Sequence, residues 1–317
     1  MKAAIVKQAG TNPVYESFKE PIAQAENVKI DVTAAALSNL TKMQATGKHY
    51  SSKQDFPLVA GNDGVGILDG QRVYFASPTM TYGSLCERTL VNKKLIIPLP
   101  EGIDDITAAA IANPGMSSWV ALNSRAHFKA GQTVLINGAT GSAGSLAVKI
   151  AYHLGAKKVI VTGRNADKLS KLAADEMVPF DMTVPNGSEE FTNKLIPYFS
   201  NGIDVVLDYL WGDSSLAIMK AVAASDAKNV TRFVSIGAAS GQREITLPSA
   251  ILRSSKIEIL GSGLKSASIS ELLSGIKGFF DWAAKEHITI PTETFDLENI
   301  AAAWQAPLTP RAVVKVQ

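Results

Sequence analysis

At 317 residues the chain is long enough for two domains of ordinary size, and at 46% hydrophobic its composition is globular. A net charge of +2, with scattered basic residues, is too weak to argue for nucleic acid or an acidic membrane surface. The lone cysteine, Cys86, excludes an internal disulfide and a zinc site with several thiolates, and it fits a reducing cytoplasm. The opening MKAAIVKQAG lacks the apolar core of a signal peptide, and the apolar stretches are too short or too broken to span a bilayer.

Up to about Asn113 the chain reads as short strands and loops. Val28–Leu37 alternates like a half-buried strand, and Gly64–Ala76 reads as two strands around an Asp69-Gly70 turn. Helical pattern begins in DDITAAAIANPGMSSWVAL. From Thr133 onward, strand-like runs alternate with helices. The strands are TVLIN, KVIVTG, MVPFD, IDVVLDYL, TRFVSIG and IEILGSG. The helices are expected at Ser145–Leu154, Asp167–Ala174, Glu189–Tyr198, Ser214–Ala224 and Leu247–Arg253. Apolar strands each followed by a helix imply a parallel sheet covered on both faces, wound as a Rossmann-type α/β fold. A long helix, ISELLSGIKGFFDWAAKEH, a short helix at Asp296–Trp304 and a last strand, RAVVKV, are expected to return to the first domain. The expected division is 1–113 with 264–317, and 114–263.

Asn137–Ser145 reads NGATGSAGS. It sets Gly138, Gly141 and Gly144 three residues apart, with Thr140, Ser142 and Ala143 between them. Ala139 stands where the first glycine of a GxGxxG would be. In such a turn Gly141 admits the pyrophosphate, Gly144 lets helix and strand pack closely, and the helix amino terminus presents free N–H groups. NAD enzymes carry an acidic residue about 20 residues further on, at the end of the second strand. Here that strand ends in Gly163-Arg164-Asn165, with Lys168 one turn later. Arg164 can pair with a 2′-phosphate and cannot accept from ribose hydroxyls, so NADPH is the expected cofactor. Ser235–Ser240, with Gly237 and Ala238, and Gly261–Gly263 close later strands. They either approach the nicotinamide through backbone groups or form ordinary turns.

With MKAAIV, AAALSNLTKMQATGKHY, LVAGNDGVGIL, YGSLCERTLVNKKLIIPLPEGI and the glycine-turn block in view, the chain resembles the medium-chain dehydrogenase/reductase superfamily over nearly its whole length. It is most similar to the zinc-free quinone oxidoreductase branch. The resemblance implies a GroES-like β-barrel catalytic domain, a Rossmann domain, a cleft between them and a homodimer. Alanine at position 139 is common in zinc-free relatives. Ser38 matches the catalytic-cysteine position of zinc-containing members, and Gly61-Asn62-Asp63 stands for their Gly-His-Glu. Neither serine nor asparagine is a usual zinc ligand. The histidines, His49, His127, His153 and His287, are dispersed. Asp63 is read as structural. Only ILDGQ stands between Gly66 and Arg72, where relatives have a longer hairpin.

Without zinc to polarise an oxygen, the substrates left are those already primed for hydride, namely quinones and α,β-unsaturated carbonyls. By resemblance, Tyr50 lines the cleft and is the candidate proton donor, with an apolar wall as its other reading. Ser38 and Asn62 are candidates to hydrogen-bond the substrate carbonyl, against local backbone bonding for Asn62. Ser117 matches a nicotinamide-contacting position and also suits a helix cap. Cys86 has no neighbour in sequence that would activate it. A non-catalytic NADPH-binding protein and a zinc-free alcohol dehydrogenase are the alternatives. A short-chain reductase is disfavoured, because the glycine turn lies mid-chain.

Overall fold

The computed structural model describes residues 1–47, 55–79, 81–263, 265–307 and 309–316. Two compact units divide the chain: Met1–Asn113 with Lys277–Gln317, and Pro114–Ile276. The first opens with β1 (Lys2–Val6), β2 (Val14–Ser17), β3 (Asn27–Ala36), α1 (Asn39–Ala45), β4 (Leu58–Val59), β5 (Asp63–Leu68), β6 (Gln71–Ala76), β7 (Arg88–Asn92) and β8 (Ile96–Pro98). β1 pairs antiparallel with β2 and β4. Along β3, Ile30, Val32 and Ala34 are fully buried while Lys29 and Asp31 point outward, the period-two pattern read from the sequence. β5 and β6 form the expected hairpin. Asp69 and Gly70 take φ of 50° and 79°, and two successive left-handed residues match the twist of the flanking strands.

α2 (Asp105–Val120) starts where the Asp104 carboxylate accepts from the Thr107 N–H at 2.8 Å. After it come β9 (Thr133–Asn137), α3 (Ser142–His153), β10 (Lys158–Gly163), α4 (Ala166–Leu169), β11 (Glu176–Pro179), α5 (Gly187–Ser200), β12 (Val205–Asp208), α6 (Asp213–Ala224), β13 (Thr231–Ser235), α7 (Ser249–Ser254) and β14 (Ile257–Gly261). The six strands form one all-parallel sheet in the order β11-β10-β9-β12-β13-β14. β9 and β12 are apolar and buried almost throughout, as strands covered on both faces must be. Leu135, Val206, Phe191, Phe199 and Phe233 pack one core, each buried side chain contributing roughly 1.5–3 kcal/mol. The order reverses between β9 and β12, and ligands of such sheets bind beyond the carboxyl ends of the strands at that point.

α4 is one turn long, not the eight residues expected. Ser170 turns its hydroxyl onto the Asp167 carbonyl at 3.0 Å, and Leu172 bonds back to Leu169 in a tighter turn. α8 (Ile269–Lys285) opens on a capping box that the sequence spells as Ser268-x-x-Glu271. The Ser268 N–H donates to Glu271 at 2.7 Å and the Glu271 N–H donates to Ser268 at 3.2 Å. β15 (Thr292–Asp296), α9 (Ile300–Gln305) and β16 (Arg311–Lys315) complete the chain. β16 pairs antiparallel with β3, so the tail does return to the first unit. There it extends a sheet ordered β15-β16-β3-β5-β6-β8, with β7 also on β3. β15 lies parallel to β16 and is exposed along most of its length; its burial does not alternate, which is why it leaves no strand signal.

Candidate functional site

The glycine turn stands at the carboxyl end of β9. Gly138 takes φ of 87°, and both its N–H and that of Ala139 donate to the Thr162 carbonyl, at 3.0 and 3.1 Å. Ala139 is completely buried, so a small side chain belongs there. A Cβ on Gly144 would lie 2.4 Å from the Gly138 carbonyl oxygen, so the first turn of α3 packs directly on the turn. Gly141 differs: a Cβ there would meet only the Gly138 oxygen, at 3.9 Å. Its methyl-free space is open rather than filled by protein, which suits an approaching pyrophosphate. Gly141 is also the α3 N-cap, in extended conformation and with no side chain capping the helix. The amino end that begins at Ser142 and Ala143 therefore keeps its positive dipole for an anion.

β10 ends beside this turn. A Cβ on Gly163 would stand 3.6 Å from the Thr140 methyl group. Arg164 follows directly and is exposed, and Lys168 is exposed one turn later. Asn165 is occupied as the α4 N-cap, accepting from the Lys168 N–H at 2.8 Å. Asp181 is held below its usual range by the Thr183 hydroxyl and N–H and by the Arg164 charge. Arg164 and Lys168 are thus two exposed cations beside the glycine turn.

Beneath the turn lies a buried polar group that pattern-reading passed over. Asn137 donates to Asp208 at 2.8 Å and to Ser214 at 3.1 Å, and accepts from Thr162 at 2.7 Å. Asp208 also accepts from the Ser215 hydroxyl at 2.7 Å and from the Leu210 and Trp211 N–H groups. Burial pushes its carboxyl up while Ser215, Asn137 and the two N–H groups pull it down. The signal for it was an acidic residue inside the apolar run IDVVLDYL. Next to it, the buried Tyr209 hydroxyl bonds the Ser118 hydroxyl at 2.7 Å. Ser117 lies inside α2, donating to the Pro114 carbonyl at 2.8 Å, so it is not a helix cap. Gly237 packs on the Tyr209 carbonyl, its N–H donating to the Asp208 backbone carbonyl, and the Ala238 carbonyl accepts from the Gly241 N–H. The amino ends of β9, β10 and β11 flank a different groove of about 540 Å³, where Lys158, Glu176 and Tyr198 already bond one another.

In the first unit, Ser38 is the buried N-cap of α1. Its oxygen accepts from the Thr41 N–H at 3.0 Å and shares a 3.0 Å hydrogen bond with the Thr41 hydroxyl. The Asn62 amide nitrogen is buried with no hydrogen-bond partner among the described residues. Asp63 is buried against Tyr74, whose hydroxyl donates to it at 3.1 Å, and feels the charge of Arg311. Burial raises its carboxyl to about 6 despite both neighbours. Cys86 is fully buried, its thiol pushed up by burial and donating to the Gly83 and Arg88 carbonyls. Tyr50 and His49 lie outside the described residues.

No family model matches the chain. It is 25% identical to a probable NADPH-dependent quinone reductase of Emericella nidulans, over 96% of each chain. The quinone oxidoreductase from Thermus thermophilus, solved also in complex with NADPH, superposes over 100% of both chains with a TM-score of 0.79 at 24% identity. Both likenesses are to quinone oxidoreductases, in keeping with the resemblance to the medium-chain dehydrogenase/reductase superfamily read from the sequence. The chain is also similar to the 2-methylene-furan-3-one reductase of Solanum lycopersicum, 28% identical over 50% of this chain and 46% of that one. The superfamily fold accounts for the parallel sheet and for the antiparallel sheet unit beside it in sequence.

Proposed function

We propose that this protein is an NADPH-dependent, zinc-independent reductase of quinones or α,β-unsaturated carbonyls. The observation that carries the reading is Arg164, exposed one residue beyond Gly163, where Gly163 abuts Thr140 of the glycine turn. The names of two relatives, a quinone reductase and a furanone reductase, support the substrate class. NADPH, when bound, supplies the hydride. The chain's own part is to bind and orient it: the α3 amino end would hold the pyrophosphate, and Arg164 with Lys168 would pair a 2′-phosphate. Ser117, Gly237 and Ala238 are the groups assigned to the nicotinamide end.

On the substrate side, the unpartnered Asn62 amide is a donor for the oxygen that gains charge as hydride arrives. The Ser38 oxygen already accepts the Thr41 N–H at the α1 cap; its O–H is left for a substrate carbonyl when the Thr41 hydroxyl is the donor of the pair they share. Tyr50 is the assigned proton donor for the enolate left by an enone. Ser38 and Asn62 offer no usual zinc ligand at the positions matched to the metal ligands of zinc-containing members, so polarisation by zinc has no part in this reading. A homodimer joined through the β14 edge, and a reducing cytoplasmic setting for the buried Cys86 thiol, complete the proposal.

Binding titrations of the purified protein with NADPH and NADH test it. NADPH is expected to bind about tenfold to a hundredfold more tightly, and Arg164→Ala to remove that preference while leaving NADH binding unchanged. Equal affinity for the two cofactors in the unaltered protein would contradict the assignment.

A further inference from the structure

Five hydrogen bonds converge on one carboxylate at the point where the strand order reverses. Asp208 closes β12 with no exposed surface. One oxygen accepts from Asn137 Nδ2 at 2.8 Å, from the Leu210 N–H at 3.2 Å and from the Trp211 N–H at 3.3 Å. The other accepts from the Trp211 N–H at 3.2 Å and from the Ser215 hydroxyl at 2.7 Å. The donors come from two sides. Asn137 is the residue before Gly138, while Leu210 and Trp211 form the turn that leads into α6. That turn touches the glycine turn directly, because the Leu210 side-chain carbons stand 2.9–3.5 Å from where a Gly138 Cβ would be. Trp211 sits at φ of 58°, a left-handed backbone conformation that a bulky side chain rarely adopts. Its N–H, shared between the two Asp208 oxygens, holds it there. An apolar residue in this buried position would leave those donors unsatisfied, and they belong to the two turns on either side of the carboxylate.

We infer that Asp208 is a positioning residue for the dinucleotide, clamping the Gly138 turn and the Leu210–Trp211 turn into a fixed crevice before the cofactor arrives. The inference rests on the dinucleotide site proposed above and names a residue that works through others, touching no reacting atom. Preorganised walls leave less ordering to be done on binding, so the effect falls on cofactor affinity.

The test uses the full chain with Asp208→Ala and Asp208→Asn. An asparagine can keep its oxygen toward Asn137, Leu210 and Trp211 and donate to the Ser215 hydroxyl, which can turn to accept. Fluorescence titration of each folded protein with NADPH is expected to show Kd raised about tenfold or more in Asp208→Ala and within about threefold of the parent in Asp208→Asn. In steady state, KM for NADPH rises in Asp208→Ala, while kcat at saturating NADPH and KM for the acceptor stay within about threefold. A loss of melting temperature with an unchanged Kd would overturn the inference, as would a fall in kcat alone. Should Asp208→Ala not fold, Ser215→Ala removes one donor; a Kd rise of about threefold supports the clamp and no rise overturns it. If the parent protein itself binds neither NADPH nor NADH, the dinucleotide reading has failed; if the parent binds and Asp208→Ala binds equally well, only the clamp has.

Discussion

Asp63 carries a charge that its surroundings oppose. Burial raises its carboxyl from 3.8 to about 6, and the Arg311 charge and Tyr74 hydroxyl only partly offset this. The folded state therefore holds the proton more tightly than the unfolded chain does. That contribution to stability is complete below about pH 3.8 and is lost as pH rises through about 6. Glu20 acts in the opposite sense. The Arg88 guanidinium beside it holds its carboxyl at about 2, so its contribution is lost only as pH falls well below 4.5. Urea denaturation of the parent and of Asp63→Asn at pH about 4 and about 7 separates the two. Relative to the variant, the parent is expected to lose roughly 1–3 kcal/mol between those values. Identical pH dependence in the two proteins would show that Asp63 does not titrate in this window.

The turn between β9 and α3 separates two glycines that look equivalent in sequence. At Gly144 a methyl group would strike backbone, 2.4 Å from the Gly138 oxygen and 2.7 Å from the Ala139 Cα. Gly144→Ala is expected to cost about 1–3 kcal/mol of stability and to weaken NADPH binding. At Gly141 the methyl group meets protein only at 3.9 Å, on the side assigned to the phosphates. Gly141→Ala is expected to melt within about 0.5 kcal/mol of the parent yet to bind NADPH at least about tenfold more weakly. Thermal melts and titrations on both variants check this, and equal binding by Gly141→Ala and parent would move the phosphates elsewhere. The six parallel strands were legible because burial on both faces leaves long apolar runs, and the Asp69-Gly70 hairpin because its turn demands those residue types. The Asp208 group was not legible. Asn137, with Thr162 bonded to it, and Ser118, bonded to Tyr209, are distant in sequence from Asp208 and meet its strand only once the strands are ordered. The length of α4 was missed because a serine hydroxyl competing for a backbone carbonyl has no period to detect.

For the molecule as a whole, β14 is an end strand of the parallel sheet, with Ile259 exposed at 37%. An edge with free backbone groups and apolar side chains is a surface for pairing with a second copy. Sedimentation is expected to give about twice the 33.6 kDa chain mass, reduced to a single chain by Ile259→Lys. A monomeric parent would remove the dimer from the proposal. Among the described residues no helix is long and apolar enough to cross a membrane. The central claim, hydride transfer from NADPH to conjugated acceptors without zinc, is tested most directly by one experiment. NADPH oxidation is followed with quinones, enones, simple aldehydes and alcohols as partners, with metal analysis on the same sample. Turnover with quinones or enones, little with aldehydes or alcohols, and no stoichiometric zinc is the expected result. NADPH binding without turnover on any acceptor, or activity that follows one tightly held zinc per chain, would contradict it.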